Sequence, residues 1–146
     1  MATKLLCTLN GPVQVRSGEP VELVFTLSNP TDKRVRVLTW HTPLEGVLNK
    51  IFDVSRDNVE VEYNGPMADR ALPSADSYIT LEPGASAEER VDVAFSYDLR
   101  APGTYRIAFR GPLMDVAQEG QQVPAPHGGF RAMDVSCPAV QVTITP

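Results

Sequence analysis

Apolar and polar residues alternate along much of this chain, and the alternation is clearest at positions 21–28. The odd positions there carry Val, Leu, Phe and Leu, while the even positions are mostly polar. Because successive side chains of a β-strand point to opposite faces, a two-residue period predicts a strand with one buried face. The same period recurs at 105–109 and at 140–144, so the pattern predicts β structure in several parts of the chain.

Nine segments combine this alternation with β-branched and aromatic residues, and turn-forming residues separate most of them. They lie at 5–9, 21–28, 34–40, 51–55, 59–63, 78–81, 87–95, 104–110 and 139–145. No segment has the i, i+3, i+4, i+7 spacing of an amphipathic helix, so helical content is expected to be minor. The spacing predicts an all-β, Ig-like antiparallel β-sandwich of about seven to nine strands, formed by residues 1–146 as a single domain.

The stretch 114–129 departs from this pattern, because Gly, Pro and Gln crowd into it. It predicts a long exposed loop between two strands. Loops of this length are either mobile or part of a recognition surface, and composition does not choose between the two.

Composition and charge disfavour two classes of function. Of the 146 residues, 42% are hydrophobic and thirteen are proline, as expected for a globular chain that reverses direction often. The formal net charge of −5 and the lack of a dense basic run disfavour nucleic acid, since phosphate binding needs clustered Lys and Arg. No apolar stretch approaches the ~18 to 20 residues that span a bilayer, so no membrane span is expected.

The two cysteines, Cys7 and Cys137, leave two interpretations open. They form a disulfide only if the first and last strands lie side by side, because a bridge needs close Cα atoms. Two separate buried thiols are the interpretation that we favour from the sequence.

The sequence carries none of the common catalytic motifs, so we expect no enzyme activity, no catalytic residues and no resident cofactor. A zinc peptidase needs two His on one helical turn, yet this chain has only His41 and His127 and no HExxH. A GxSxG motif and a phosphate-binding glycine loop are absent too. A small cupredoxin-like copper protein, with both histidines, Met133 and Cys137 as ligands, is an alternative, but a second His close to Cys137 is missing.

Several longer motifs do resemble a known family. They are Gly18-Glu19-Pro20-Val21, Trp40-His41-Thr42-Pro43-Leu44-Glu45-Gly46, Tyr63-Asn64-Gly65-Pro66-Met67-Ala68-Asp69-Arg70, Tyr97-Asp98-Leu99 and Gly103-Thr104-Tyr105. Together they resemble the amino-terminal β-sandwich region that precedes the catalytic domain in bacterial deuterolysin-type, peptidyl-lysine metalloendopeptidases. The similarity extends over about residues 5–110. The chain departs from that family in lacking both HExxH and the Gly-Thr-x-x-His-Asp that carries the third zinc ligand.

The resemblance implies a non-catalytic, propeptide-like module whose partner is a protein, namely a zinc metalloendopeptidase that it inhibits or helps to fold. It also implies a secreted or periplasmic location, although residues 1–9 show no signal-peptide pattern. A structural or adhesive Ig-like module that binds protein or carbohydrate is the alternative from another class. The sequence does not indicate the oligomeric state.

Two loops are expected to form the contact surface, because Pro-stiffened apolar loops lose little entropy when they dock. The residues predicted to contact the partner are Trp40, His41, Thr42, Pro43, Leu44, Glu45, Gly65, Pro66 and Met67. The competing interpretation is that Trp40 is the core tryptophan of a sandwich.

Overall fold

A computed structural model describes residues 4–146. Eleven β-strands and four short 3-10 turns account for the regular structure of these residues, and none of them is in an α-helix. The strands are β1 (Leu6–Asn10), β2 (Gln14–Arg16), β3 (Glu22–Ser28), β4 (Val35–Leu38), β5 (Phe52–Arg56), β6 (Val59–Glu60), β7 (Tyr78–Leu81), β8 (Ser86–Asp92), β9 (Gly103–Phe109), β10 (Val116–Gln118) and β11 (Val140–Thr145). The 3-10 turns are Pro43–Glu45, Ala75–Ser77, Val93–Phe95 and Pro126–Gly128. The predicted all-β class is confirmed.

The strands form three sheets around one hydrophobic core cluster. The largest sheet has the order β2-β11-β9-β5-β6, and the two smaller sheets have the orders β1-β3-β8 and β10-β4-β7. All pairs are antiparallel except β11 with β2. Phe25 of β3 packs against Phe109 of β9 with ring centroids 5.2 Å apart, which joins the β3 sheet to the largest sheet across the core. Along β3 the odd positions are buried, as the alternation predicts.

One long antiparallel strand pair runs through both smaller sheets. β3 pairs with β8, and β4, which follows β3, pairs with β7, which precedes β8. The two long strands are therefore interrupted once each, at 29–34 and at 82–85. The prediction already separated these segments; the two strands beyond its upper end are β2 and β10, each only three residues long.

The buried side chain of Asn29 forms hydrogen bonds across the first interruption. The Asn29 side chain donates from Nδ2 to the carbonyl oxygens of Lys33, at 2.7 Å, and Leu81, at 2.9 Å. Its Oδ1 accepts from the backbone N–H and the hydroxyl of Thr31. The side chain thus satisfies polar groups that the broken ladder leaves unpaired, which is what burial requires.

The structure corrects the predicted loop at 114–129. Val116 and Ala117 are buried, and β10 pairs with β4 at this point. The sequence did not predict β10 because a strand of only three residues is too short to show a two-residue period. Irregular backbone instead extends over 119–139, apart from the 3-10 turn at Pro126–Gly128 and an isolated bridge at Met133.

Cys7 and Cys137 form a disulfide, with Cα atoms 4.8 Å apart, so the interpretation as separate thiols is wrong. The first and last strands do not pair with each other: β1 pairs with β3, and β11 lies between β2 and β9. Cys137 reaches β1 because it lies in the irregular segment before β11, a route that strand order alone does not reveal.

None of the helical turns in residues 4–146 has the length and hydropathy of a membrane-spanning segment.

Candidate partner-binding surface

Thr42 shapes the first predicted contact loop from inside. Its side chain is buried, donates a hydrogen bond to the Thr39 carbonyl at 2.7 Å and accepts one from the Leu44 N–H at 3.1 Å. This is the N-cap of the 3-10 turn that begins at Pro43, which is also buried. Thr42 and Pro43, although predicted to contact a partner, therefore do not belong to the exposed surface, because their burial builds the loop.

His41 lies at the exposed tip of this loop. Its φ of 60° places it in the left-handed region, where histidine is among the more tolerated residues. The His41 backbone N–H donates to Glu45 Oε2 at 2.8 Å, so the carboxylate of the last residue of the turn closes the loop on itself. The conformation of the loop is thus fixed by its own side chains.

Arg70 joins the first loop to the second. Its guanidinium carbon lies 4.7 Å from the centroid of the Trp40 ring, a cation–π contact. Arg70 Nη1 lies 2.6 Å from Glu45 Oε1, an ion pair without hydrogen-bond geometry, with side chains only 19% and 11% exposed. Trp40 is partly exposed and lies outside the hydrophobic core cluster, so it is not a core tryptophan.

A backbone contact reinforces this junction, since the Ala68 N–H donates to the Leu48 carbonyl at 2.9 Å. The structure therefore brings the two predicted loops together. Arg70 lay within a motif of the resemblance but was not predicted as a site residue. Alternation patterns carry no signal for a contact between residues 30 positions apart, such as Trp40 and Arg70.

The second loop is built around a close approach at Gly65. The Tyr63 hydroxyl donates to the Pro66 carbonyl and so folds its ring over Gly65. A Cβ at Gly65 would lie 2.6 Å from the Tyr63 hydroxyl oxygen and 2.7 Å from the Ser96 hydroxyl oxygen, so only glycine fits. Gly65 is thus structural, whereas Pro66 and Met67 are exposed, Met67 to 74%.

Phe95 extends the exposed apolar surface, although the sequence did not predict it as a contact residue. The strand predicted at 87–95 ends with Phe95. The structure ends β8 at Asp92 and turns the chain through Val93–Phe95, which leaves Phe95 87% exposed. The turn is hydrogen-bonded to the second loop, because the Asn64 N–H donates to the Ser96 carbonyl at 2.7 Å.

The buried Tyr97 packs against the partly exposed Tyr63 of the second loop. The Tyr97 hydroxyl donates to the Phe52 carbonyl at 2.8 Å, and its ring lies 5.3 Å from that of Tyr63. Burial raises the pKa of Tyr97 to about 12. Burial likewise raises the pKa of the chain's other three tyrosines, Tyr63, Tyr78 and Tyr105.

We expect the protein to lose stability between about pH 10, the ordinary tyrosine pKa, and about pH 12, the pKa of Tyr97. In this range the folded state keeps phenol protons that the unfolded state releases, so the stability is fully present below the range and falls through it. Urea unfolding at a series of alkaline pH values measures the slope. The substitution Tyr97→Phe should make the slope shallower. Tyrosinate absorbance that titrates fully near pH 10 in a protein that stays folded would contradict this expectation.

The described residues do not favour the copper alternative. Within 4–146, no group of three or more His, Cys, Asp or Glu side chains is placed to hold a metal ion. The sulfur of Cys137, one of the four proposed copper ligands, is bonded to Cys7. That bond removes the thiolate on which a cupredoxin-like site depends.

Comparison with known proteins finds relatives among proteases. The chain is 37% identical over 109 residues to an extracellular protease of Aeromonas hydrophila, covering 75% of this chain and 31% of that protein. It is 29% identical over 108 residues to a neutral protease 2 homolog of Coccidioides posadasii, covering 72% of this chain and 29% of that protein. The chain thus spans about a third of the length of these relatives. No protein-family model matches it.

Among solved structures, the CARDB domain of a Pyrococcus furiosus protein in complex with di-metal ions covers 98% of this chain and 89% of its own, with 16% identity and a TM-score of 0.41. At that TM-score the similarity carries no argument about function.

Proposed function

We propose that this chain is a propeptide-like, non-catalytic module of the deuterolysin type, which binds a secreted metallopeptidase and inhibits it or assists its folding. The observation that carries the proposal is the 37% identity to an extracellular protease over a stretch that makes up only 31% of that protein. The sequence of this stretch contains no HExxH, which supports a role other than catalysis.

The geometry of the two loops supports a binding role. The ion pair of Arg70 with Glu45 and the Asn64–Ser96 hydrogen bond hold the loops and the turn at Val93–Phe95 against one another. Exposed apolar side chains on a backbone that is already held in place require no ordering of that backbone on docking. A surface of this kind suits a protein partner.

The disulfide between Cys7 and Cys137 supports the secreted location. Disulfides persist in oxidising compartments and are rare where glutathione keeps thiols reduced. The related extracellular protease is consistent with the same location.

Inhibition is tested by mixing the purified, oxidised chain with the mature extracellular protease of Aeromonas hydrophila. We expect the cleavage of a lysine-containing peptide to slow in a saturable manner as the chain is added. The matched control is the same chain after reduction and alkylation in denaturant, which should not inhibit. Unchanged cleavage rates together with no complex in gel filtration would remove the proposal of inhibition.

The assisted-folding variant of the proposal has its own measurement. The protease is denatured and refolded with and without the oxidised chain, and the recovered activity is measured after dilution to a concentration at which any complex dissociates. A higher recovery with the chain supports assistance, and equal recovery rules it out.

A further inference from the structure

Phe95 is an unusual side chain for an exposed position. Among the large hydrophobic side chains of residues 4–146, it has the highest exposed fraction, 87%. Covering this ring with another apolar surface would lower the free energy, because the apolar area of the ring would leave water.

The backbone beneath Phe95 is held rigidly. Asp92 Oδ1 accepts hydrogen bonds from the N–H groups of Ala94, at 3.0 Å, and Val21, at 2.9 Å. The Val93 carbonyl accepts from the N–H groups of Ser96 and Tyr97, and the Val93 side chain is fully buried. The ring is therefore presented on a preorganised turn, as is typical of residues that dominate the binding energy of an interface.

A cleft of about 320 Å³ lies beside Phe95 and gives the surface a second feature. Glu19, Asn64 and Leu99 are among the residues that line it. The backbone hydrogen bond from Asn64 to Ser96 also connects the turn that carries Phe95 to the second loop, which contains the exposed Met67. The projecting ring and the adjacent cleft thus form one continuous surface with part of the predicted contact loops.

The cleft carries one unbalanced negative charge. The guanidinium of Arg100, which also lines it, is hydrogen-bonded to both carboxylate oxygens of Asp98, at 2.9 and 3.0 Å. Glu19, by contrast, forms no salt bridge within the described residues. A complementary surface therefore has a basic side chain at this position.

We infer that Phe95 is the anchor of the partner-binding surface, and that its ring enters an apolar pocket of the peptidase bordered by Lys or Arg. This inference rests on the proposed function, because it takes the peptidase as the partner. It assigns the binding energy to the turn at Val93–Phe95 rather than to the tip of the loop at His41.

The substitution Phe95→Ala tests whether Phe95 is the anchor. The binding of this variant to the mature Aeromonas hydrophila protease is measured by surface plasmon resonance. We expect the dissociation constant to rise about tenfold or more, mainly through faster dissociation. Val59→Ala is the matched control, because Val59 is also an exposed apolar residue, 69% exposed, but lies on the β5–β6 hairpin. Circular dichroism should show both variants folded.

Glu19→Gln tests the charge at the cleft. We expect slower association at low salt and a weaker dependence of the association rate on salt than in the wild type, because rim charges act mainly on the encounter rate. An unchanged salt dependence would show that no Lys or Arg of the peptidase lies opposite Glu19.

The outcomes separate the two proposals. A wild-type chain that does not bind the protease removes the proposed function and the inference with it. A wild-type chain that binds, together with an equal affinity of Phe95→Ala, removes the inference alone. Sedimentation is run in parallel: if Phe95→Ala abolishes a self-association of the chain and leaves protease affinity unchanged, Phe95 anchors a second copy and the inference is wrong.

Discussion

Replacing Arg131 with methionine is expected to lower the free energy of unfolding by about 3 to 5 kcal/mol at neutral pH, because the change leaves a buried carboxylate without its cation. That carboxylate is Asp115, which is fully buried. Arg131 donates to its two oxygens from Nε and Nη2, each at 2.8 Å, and from its backbone N–H at 2.8 Å. The Tyr78 hydroxyl adds a fourth hydrogen bond at 2.5 Å.

The loss should depend on pH in a direction that the surroundings of Asp115 determine. Burial by itself raises the pKa of Asp115, but the hydrogen bonds from Arg131 and Tyr78 outweigh burial and hold the pKa below its ordinary value. In the wild type the stability from this carboxylate is present above the ordinary aspartate pKa and is lost as pH falls through the lowered pKa. Without Arg131, burial dominates and the pKa rises, so the variant can protonate Asp115.

Urea unfolding of the wild type and of Arg131→Met, at neutral pH and at about pH 4, measures both effects. We expect the stability difference between the two proteins to shrink at the lower pH. Adding Asp115→Asn to the variant should recover part of the loss at neutral pH, because the amide carries no charge. Arg34→Met is the control for removing an arginine from an exposed pair with Glu82, and it should change the stability by less than about 1 kcal/mol. If Arg131→Met loses no more stability than the control, Arg131 does not stabilise the buried carboxylate of Asp115, and the prediction is wrong.

This ion pair also organises the irregular stretch before the last strand. Arg131 Nη2 donates to the Gln122 carbonyl at 3.0 Å, and the Ala125 N–H donates to the Tyr78 hydroxyl at 3.2 Å. These side-chain contacts hold the segment at 122–131 together with a backbone hydrogen bond from the Val116 N–H to the Arg131 carbonyl at 2.9 Å. Loss of the pair should therefore release this segment, and faster amide exchange of Ala125 in Arg131→Met measures it.

The alternation of apolar residues predicted the strands well, because one face of each strand is buried against a shared core. It predicted β3 and the buried positions of β9 and β11 closely. It was wrong in extending the eighth strand over 93–95, where a carboxylate cap at Asp92 ends β8 and redirects the chain. Alternation reports which residues suit a buried face, but at Asp92 a side-chain carboxylate that accepts backbone hydrogen bonds ends the strand.

The sequence motifs pointed to the two loops of the candidate surface but not to how these loops are built. The motifs around Trp40 and Gly65 identified the two loops, yet Thr42 and Gly65 prove to be structural. Arg70 and Phe95 contribute to the surface through contacts between distant parts of the chain. A single sequence contains no record of such contacts, since they depend on how the sheets pack.

The disulfide between Cys7 and Cys137 is expected to stabilise the folded protein by about 4 to 5 kcal/mol in the chain-entropy model, because it closes a loop between residues 130 positions apart. Most of this effect acts on the unfolded state, whose freedom a long closed loop restricts. Cys137 also holds the irregular segment 134–139 against β1, so the bond has a local role in the folded state as well.

The double substitution Cys7→Ala with Cys137→Ala should therefore lower the midpoint of urea unfolding strongly and leave the β-sheet circular dichroism at low urea unchanged. Alanine is preferred to serine because Cys7 is buried and a hydroxyl there would lack a partner. The wild type unfolded in the presence of a reductant is the matched control and should show a loss of similar size, since it breaks the same bond without changing a residue. Proteolytic cleavage within 134–139 should become faster, if the bond holds that segment in place. A loss below about 1 kcal/mol in both the variant and the reduced wild type would mean that strand pairing alone fixes the end of the chain, and that the long closed loop contributes little to stability.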